Sequence, residues 1–308
     1  MAVNTYTTSD LVALIKLLGH VPQSNATFTT ANLLTLADLV MRTSIARQLK
    51  EANEGYWQTY VEYDQNSTGI YSIPSGALAS GTYSVQIRNG QAIWPVSKQE
   101  VSEMTTTTYP SVSNYAYTVQ GNKLTVLPAQ FGGVLRITYE RRPSKLVATT
   151  ACAQVSSVAS QVITVNSVPS GWVVGNTIDL QDDQPQFDLL GEAEITDITG
   201  TSITVDGDLS ELSADDYLCL SDQSCIPQIP VEFHPLLAQE VVCKIYETQG
   251  YLDKLSKAKE VLQEMRENLT ALITPRTSTN APVINPSWGG RKPGNSWARF
   301  MPPAGRDN

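Results

Sequence analysis

The chain has 308 residues, of which 41% are hydrophobic and 7% aromatic, and these proportions are typical of a globular protein with a buried core. Its net charge of -9 is unevenly distributed, because residues 150–225 contain thirteen Asp or Glu and no Lys or Arg, whereas residues 274–308 contain five Lys or Arg and one Asp. No run approaches the roughly 18 apolar residues that cross a bilayer, and no secretory signal pattern is present, so we expect synthesis in a cytoplasm without membrane association.

Two amphipathic helices are predicted at the N-terminus. The first begins at Thr8, Ser9 or Asp10, which are candidate N-caps, and ends at Gly19, a residue type common at helix C-termini. The second begins after Thr29 or Thr30 and continues to about residue 52, because apolar residues recur there with the period of an α-helix. Both helices need a partner that buries their apolar stripes.

The pattern changes to strict alternation between residues 55 and 147. Tyr, Val, Ile and Thr are enriched there, and Asn89-Gly90 and Gly121-Asn122 are compact turn signals between alternating segments. This region predicts an antiparallel sheet that ends at Pro143. We expect one face of the sheet to lie against the helices.

Two further segments complete the folded part. Residues 148–224 hold five or so short strands separated by Gly, Asn and Asp turns, which is typical of a small β-barrel. Helix-forming sequence then resumes from Ile226 to Ile273 with two apolar stripes separated by Gly250, and we interpret it as a helical hairpin or a kinked long helix. The predicted fold class is α+β: a helical bundle with an antiparallel β region (1–149), an inserted acidic β-barrel-like domain (150–225), a C-terminal helical hairpin (226–273) and an extended C-terminal arm (274–308).

The arm has no periodicity and is rich in Pro, Gly, Ser and Asn, so it should not fold by itself. It nevertheless carries large aromatic side chains interleaved with cations, and Trp and Arg are the residues that most often carry binding energy. We therefore predict that it docks on another protein. The residues predicted to form the binding segment are Trp288, Arg291, Lys292, Trp297, Arg299 and Phe300.

The sequence offers little for metal, cofactor or nucleophilic chemistry. The four cysteines, at positions 152, 219, 225 and 243, form no CxxC pair, and we expect free thiols with no metal site. His234 stands between Phe233 and Pro235 at a helix start, where a packing or capping role is favoured over catalysis. No nucleotide-binding or hydrolase motif occurs, so no cofactor and no enzymatic activity are predicted.

One cluster of carboxylates leaves a catalytic alternative open. An Asp/Glu pair at a suitable separation could hydrolyse a glycosidic bond, although an acidic solvated loop is favoured. The candidates for that alternative are Asp179, Asp182, Asp183, Asp188 and Glu192.

The order of these parts resembles the head-to-tail adaptor (connector ring) proteins of tailed bacteriophages. A Tyr-rich strand leads to a Tyr-x-x-x-Pro end, a segment of variable length follows, and a Pro-x-x-(Phe/Tyr)-His-x-x-Leu element then opens a helix. The upstream strand-Gly-Asn-strand-Pro element, at 117–130, is also similar. The matching residues are Tyr139, Pro143, Pro230, Phe233, His234 and Leu237.

This resemblance implies a virion structural protein at the head–tail interface, assembled in the host cytoplasm. Adaptors of this kind form a homo-oligomeric ring, typically of twelve copies, beneath the portal protein. The ring extends the channel through which DNA passes without sequence-specific binding, and it offers an attachment surface to tail tube or nozzle proteins. The family's C-terminal arms reach along the portal, which would be the role of residues 274–308 here.

Two alternatives remain open at this stage. The protein could be a tail tube or fibre-attachment component with the insert as its recognition module, or a carbohydrate-active enzyme that uses the carboxylates of the insert. The orientation of the insert also stays open. Facing the channel, its carboxylates would discourage DNA from adhering; facing outward, it could contact tail or fibre proteins.

Overall fold

The computed structural model describes residues 6–22, 26–53, 55–74, 76–78, 84–89, 92–98, 115–183 and 189–273. It has the predicted α+β fold, with a helical bundle, a largely antiparallel sheet and a closed barrel inserted between them in sequence. Within these residues, no helix has both the length and the apolar character needed to span a bilayer. The predicted arm lies outside the described residues.

The helices on the two sides of the insertion form one core. They are α1 (Thr8–Leu18), α2 (Thr30–Val40), a π-helical turn (Met41–Ile45), α3 (Ala46–Ala52), α4 (His234–Gln249) and α5 (Leu252–Ile273). Leu11, Leu33, Leu237 and Val241 belong to a single buried cluster, so the N-terminal helices do pack on the C-terminal pair. This packing buries the apolar stripes that gave the helical periodicity.

The helix ends follow local chemistry. Thr7, one residue before the predicted candidates, caps α1, and its backbone N–H and hydroxyl both donate to Asp10 Oδ2 at 2.9 Å. Gly250 ends α4 in the left-handed conformation with φ of 72°. Arg266 reaches back to Glu240 at 3.1 Å, so α4 and α5 form an antiparallel hairpin and not one kinked helix.

The first sheet has seven strands in the order β1-β7-β3-β4-β5-β6-β2. All described pairings in it are antiparallel except β4 with β5. The strands are β1 (Gln58–Asp64), β2 (Ile70–Ser72), β3 (Ser84–Asn89), β4 (Ala92–Lys98), β5 (Ala116–Gln120), β6 (Lys123–Leu127) and β7 (Val134–Glu140).

The sheet encloses a core of its own. Its two edge strands approach each other, since the Tyr63 hydroxyl on β1 donates to the Ser72 carbonyl on β2 at 2.6 Å. Ile87, Leu124 and Leu135 are fully buried in a cluster separate from the helical core. The expectation that one face of the sheet lies against the helices is therefore wrong, because the strongly curled sheet buries its apolar face on itself.

The insert is a closed six-stranded barrel in the order β10-β13-β12-β11-β14-β9. Its strands are β9 (Ala153–Ala159), β10 (Val162–Val165), β11 (Thr177–Gln181), β12 (Leu189–Thr199), β13 (Ser202–Asp206) and β14 (Tyr217–Leu220). Two short parallel strands, β8 (Lys145–Leu146) and β15 (Gln223–Ser224), pair where the chain enters and leaves the barrel. The barrel strands fall inside the segment predicted as an insertion.

The barrel is built from two similar halves. A short sequence repeat marks them, although the elements predicted from the sequence do not include a repeat. Each half is a hairpin followed by a long loop and a single strand, first β9 to β11 and then β12 to β14. Ile-Thr-Val at 163–165 recurs at 203–205, an offset of 40 residues (203 minus 163). Gly175 and Asp215, at the same offset, both adopt positive φ, 89° and 78°. The halves therefore share a strand sequence and a positive φ at equivalent positions.

Candidate functional site at the barrel junction

Arg141, directly after β7, joins the first sheet to the barrel. Its Nη2 lies 2.9 Å from Oδ2 of Asp179 on β11, and both side chains are almost fully enclosed, with 5% and 0% exposure. Asp222 Oδ1 lies 3.6 Å from the same nitrogen, and Glu192 Oε1 lies 3.7 Å from Nη1. One guanidinium thus holds three carboxylates of the insert, and the pair with Asp179 is the close, buried contact.

Asp179 carries the electrostatic cost of this arrangement. Burial raises the pKa of its carboxyl from 3.8 to about 7, with Arg141 opposing the shift and Glu192 adding to it. Oδ2 also accepts the backbone N–H of Asp222 at 3.1 Å, whereas Oδ1 is buried without a hydrogen bond. Because a buried ion is stable only with its partner, removing the Arg141 charge should be costly.

A cleft of about 490 Å³ opens beside this contact, between the sheet and the barrel. Arg141, Glu192 and Asp222 line it together with the rings of Tyr60 and Tyr139. Burial raises the pKa of Tyr139 to about 12, so its hydroxyl stays protonated at neutral pH. Asp179, whose carboxyl has the raised pKa, is fully buried and does not line the cleft. It is therefore not placed to contact a molecule bound there.

The structure separates the carboxylates considered for glycoside hydrolysis. Asp179 and Glu192 are register partners on β11 and β12 at the Arg141 contact. Asp182 and Asp183 instead gather with Asp216. Asp188 lies outside the described residues, and nothing in this geometry favours the carbohydrate-active alternative.

Within the Asp182–Asp183–Asp216 group, Asp216 has a structural role as a hydrogen-bond acceptor. Asp216 is buried and accepts the Ser213 backbone N–H at 2.7 Å and the Asp183 backbone N–H at 3.2 Å. Its carboxylate therefore organises two chain segments at the barrel end.

A disulfide closes the barrel near the junction. Cys152 and Cys219 are bonded, so the prediction of four free thiols is wrong for this pair. They are 67 residues apart and meet only because β14 pairs with β9 at the closure of the barrel, a contact that local sequence does not reveal. Cys225 and Cys243 are buried free thiols. The sulfurs of Cys152, Cys219 and Cys225 all lie within 4.8 Å of one another.

Polar contacts also tie the barrel to its two connections. Gln181 at the end of β11 accepts from Ser224 Oγ at 2.8 Å and donates to the Gln223 carbonyl at 2.7 Å. The start of α1 spans both connections, because Thr8 donates its N–H to the Cys225 carbonyl at 2.8 Å and its hydroxyl to the Val147 carbonyl at 2.7 Å. The barrel is thus fixed to the sheet and to the helices at once.

His234 has the packing role that its sequence position predicted. It is buried at the start of α4, stacks on Tyr6 with ring centroids 4.1 Å apart, and places Nε2 3.1 Å from the Ile229 carbonyl oxygen. Burial lowers its pKa to about 4, so the ring is neutral at physiological pH.

The predicted binding residues belong to the arm. Trp288, Arg291, Lys292, Trp297, Arg299 and Phe300 all lie outside the described residues. Their role stays a prediction from sequence.

Compared with known proteins, the chain matches no protein-family model, and no curated protein is significantly similar to it. Arg141 and the three-cysteine cluster are the features of the junction that the sequence did not reveal.

Proposed function

We propose that the protein is a head-to-tail adaptor of a tailed bacteriophage, a structural component that forms a ring below the portal and extends the DNA channel. The observation that carries the proposal is the fixed mounting of the inserted barrel on a core assembled from both sides of the insertion. A scaffold that holds an accessory domain in one orientation suits a static connector. The order of parts also agrees with the adaptor pattern on which the sequence resemblance rests.

The mounting supports the proposal because a connector must present its surfaces in repeated, defined positions. The barrel is held by the Arg141–Asp179 pair and by the Gln181–Ser224 hydrogen bond. Thr8 also donates hydrogen bonds to both connecting segments. Independent contacts on different sides restrict rotation far more than one hinge would. In a ring, each copy would then present its barrel at the same angle.

The charge of the barrel surface fits either a DNA channel or a tail-facing surface. Among the described residues of the insert, seven carboxylates are exposed, and no Lys or Arg lies between residues 150 and 225. Such a surface repels phosphates, so DNA would pass it without adhering. The exposed residues are Glu192, Glu194, Asp197, Asp206, Asp208, Glu211 and Asp215.

The arm is proposed to dock on the portal. The described part of α5 extends to Ile273, and residues 274–308 follow it in sequence, so the helical hairpin would be the base of the arm. Several arms on one ring would bind the portal together, and linked binding events strengthen one another through effective concentration. Partners further down would be tail tube or nozzle proteins.

The arm is tested in the full-length chain by replacing Trp288 and Trp297 with Ala. We expect binding to purified portal to weaken at least tenfold, since buried Trp anchors commonly contribute about 2 kcal/mol or more each. The measurement is co-sedimentation with the portal ring. The matched control is Tyr251→Ala, which removes a half-exposed aromatic side chain outside the arm and should leave binding unchanged.

Undiminished portal binding by the double variant would contradict the role of the arm. Negative-stain images of partly assembled particles then distinguish the adaptor from the tail alternative. An adaptor appears as a ring directly beneath the portal, whereas a tail tube or fibre-attachment component appears only further along the tail.

A further inference from the structure

Three cysteines converge at the place where the chain enters and leaves the barrel. Cys152 precedes β9, Cys219 lies on β14, and Cys225 follows β15. All three are buried, and their sulfurs lie within 4.8 Å of one another. Together with Ile226 they form a small core cluster of their own. The disulfide uses two of these sulfurs, and the third remains a thiol beside them.

The separation of the sulfurs suits a thiophilic metal ion. Zinc bound by thiolates has Zn–S distances of about 2.3 Å in a tetrahedral shell, which places sulfur ligands roughly 3.8 Å apart. The three sulfurs, at most 4.8 Å apart, are within about 1 Å of that spacing. A fourth donor is also present, because Gln181 Oε1 lies 3.8 Å from Cys219 Sγ and is held in place by Ser224.

We propose that, when the Cys152–Cys219 disulfide is reduced, Cys152, Cys219 and Cys225 bind one thiophilic divalent metal ion of the zinc class, with the Gln181 amide oxygen as the fourth ligand. The site and the disulfide exclude each other, since the disulfide consumes two of the three sulfur ligands. The metal would join the entry and the exit of the barrel when the covalent bond is absent. This inference does not depend on the proposed adaptor function.

The chemistry of the exchange balances. A phosphine reductant donates two electrons to the disulfide and becomes a phosphine oxide, taking its oxygen from water, whose two protons complete the two thiols. A dithiol reductant instead supplies both electrons and both protons and becomes a disulfide. The metal ion then displaces the protons of three thiols and is held as a tris-thiolate complex with one net negative charge.

The test is a cobalt(II) titration of the full-length chain, reduced with a phosphine under anaerobic conditions. Cobalt replaces zinc and reports its ligands, because thiolate coordination gives strong sulfur-to-cobalt absorption in the near ultraviolet. We expect this band to saturate at one cobalt per chain and to disappear when zinc is added. The unreduced chain should show no band.

Two variants locate the site. Cys225→Ser should lose the band, whereas Cys243→Ser, which removes the other buried free thiol on α4, should keep it. A rise in the melting temperature of the reduced wild-type chain on adding zinc provides a second measurement if Cys225→Ser folds poorly. The proposal is overturned if the reduced wild type gives no band and no such rise, or if the band survives in Cys225→Ser.

Discussion

Arg141 joins the first sheet to the barrel through ion pairs. It follows the last strand of the first sheet, and it is the cation that Asp179, Glu192 and Asp222 of the insert share. The contact with Asp179 is buried on both sides, so solvent cannot replace either partner. The pair is one of several contacts at the junction, and single substitutions can test how much it contributes.

Substitutions at the two ends of this pair should have unequal effects. Arg141→Ala leaves the buried Asp179 carboxylate without its cation and should lower the free energy of unfolding by about 3–5 kcal/mol. Asp179→Asn keeps the side-chain shape and leaves Arg141 facing Glu192 and Asp222. It should therefore lower the free energy of unfolding by only about 1–2 kcal/mol. Urea unfolding at pH 8 measures both.

The control for this comparison is Arg88→Ala. Arg88 pairs with Glu62 on the sheet surface at 3.1 Å, with about a third of each side chain exposed. Its replacement should lower the free energy of unfolding by less than about 1 kcal/mol. A loss at Arg141→Ala no larger than the loss at Arg88→Ala would show that the Arg141–Asp179 pair does not stabilise the junction.

The pH dependence of stability has a defined sign at Asp179. Its folded pKa, about 7, lies above the ordinary 3.8, so the native state binds the proton more tightly than the unfolded state does. The resulting stabilisation is fully present below pH 3.8 and is lost as the pH rises through about 7. His234 acts in the opposite direction, because its pKa is lowered to about 4.

Comparison with Asp179→Asn separates the two groups, since the variant keeps His234. We expect the unfolding free energy of the wild type, minus that of Asp179→Asn, to fall between pH 5 and pH 8, by at most about 1.4 kcal/mol per pH unit. The groups that face Asp179 are Arg141, Glu192 and Asp222, and all are retained in the variant. A difference that stays constant or rises over this range contradicts the assignment.

At the scale of the elements, sequence predicted what local patterns determine. The apolar spacing predicted the helix that the structure has as α5, and Gly250 marked the break between α4 and α5. The small barrel also followed from short strands with regular turns. The closure of the barrel, the Cys152–Cys219 bond and the Arg141–Asp179 pair could not be predicted, because each joins residues far apart in sequence and depends on strand order.

The turns of the first sheet offer a matched pair of glycines. Gly69 and Gly121 have nearly equal positive φ, 65° and 61°, so alanine meets the same backbone strain at both. A Cβ at Gly121 would meet nothing within 4 Å, whereas one at Gly69 would lie 2.6 Å from the Val126 carbonyl oxygen and 2.9 Å from Ala129 Cβ.

Gly121→Ala should therefore cost only about 1–2 kcal/mol, and Gly69→Ala should cost about 1–3 kcal/mol more because of overpacking. Thermal or urea unfolding of the two variants provides the comparison. Equal losses of unfolding free energy would mean that the turn at Gly69 can shift to accommodate the methyl group. The 2.8 Å hydrogen bond from Val126 N–H to the Gly69 carbonyl would then not fix the turn.

At the scale of the whole molecule, the described parts form a fixed body with an acidic accessory barrel. The helical core is interrupted in sequence but continuous in space, and the barrel is attached to it and to the sheet through separate contacts. A body of this kind suits a repeated unit in an assembly. The basic, aromatic segment at 274–308 would supply the contact that brings copies to their place.

The most direct test of the adaptor proposal is light scattering of the purified full-length chain, alone and mixed with the portal protein of the same phage. The proposal predicts a complex whose mass exceeds that of the portal ring by several chain masses, about twelve if the ring has the copy number typical of the adaptors that this sequence resembles. A portal peak of unchanged mass, with the chain eluting separately at every concentration, would contradict it.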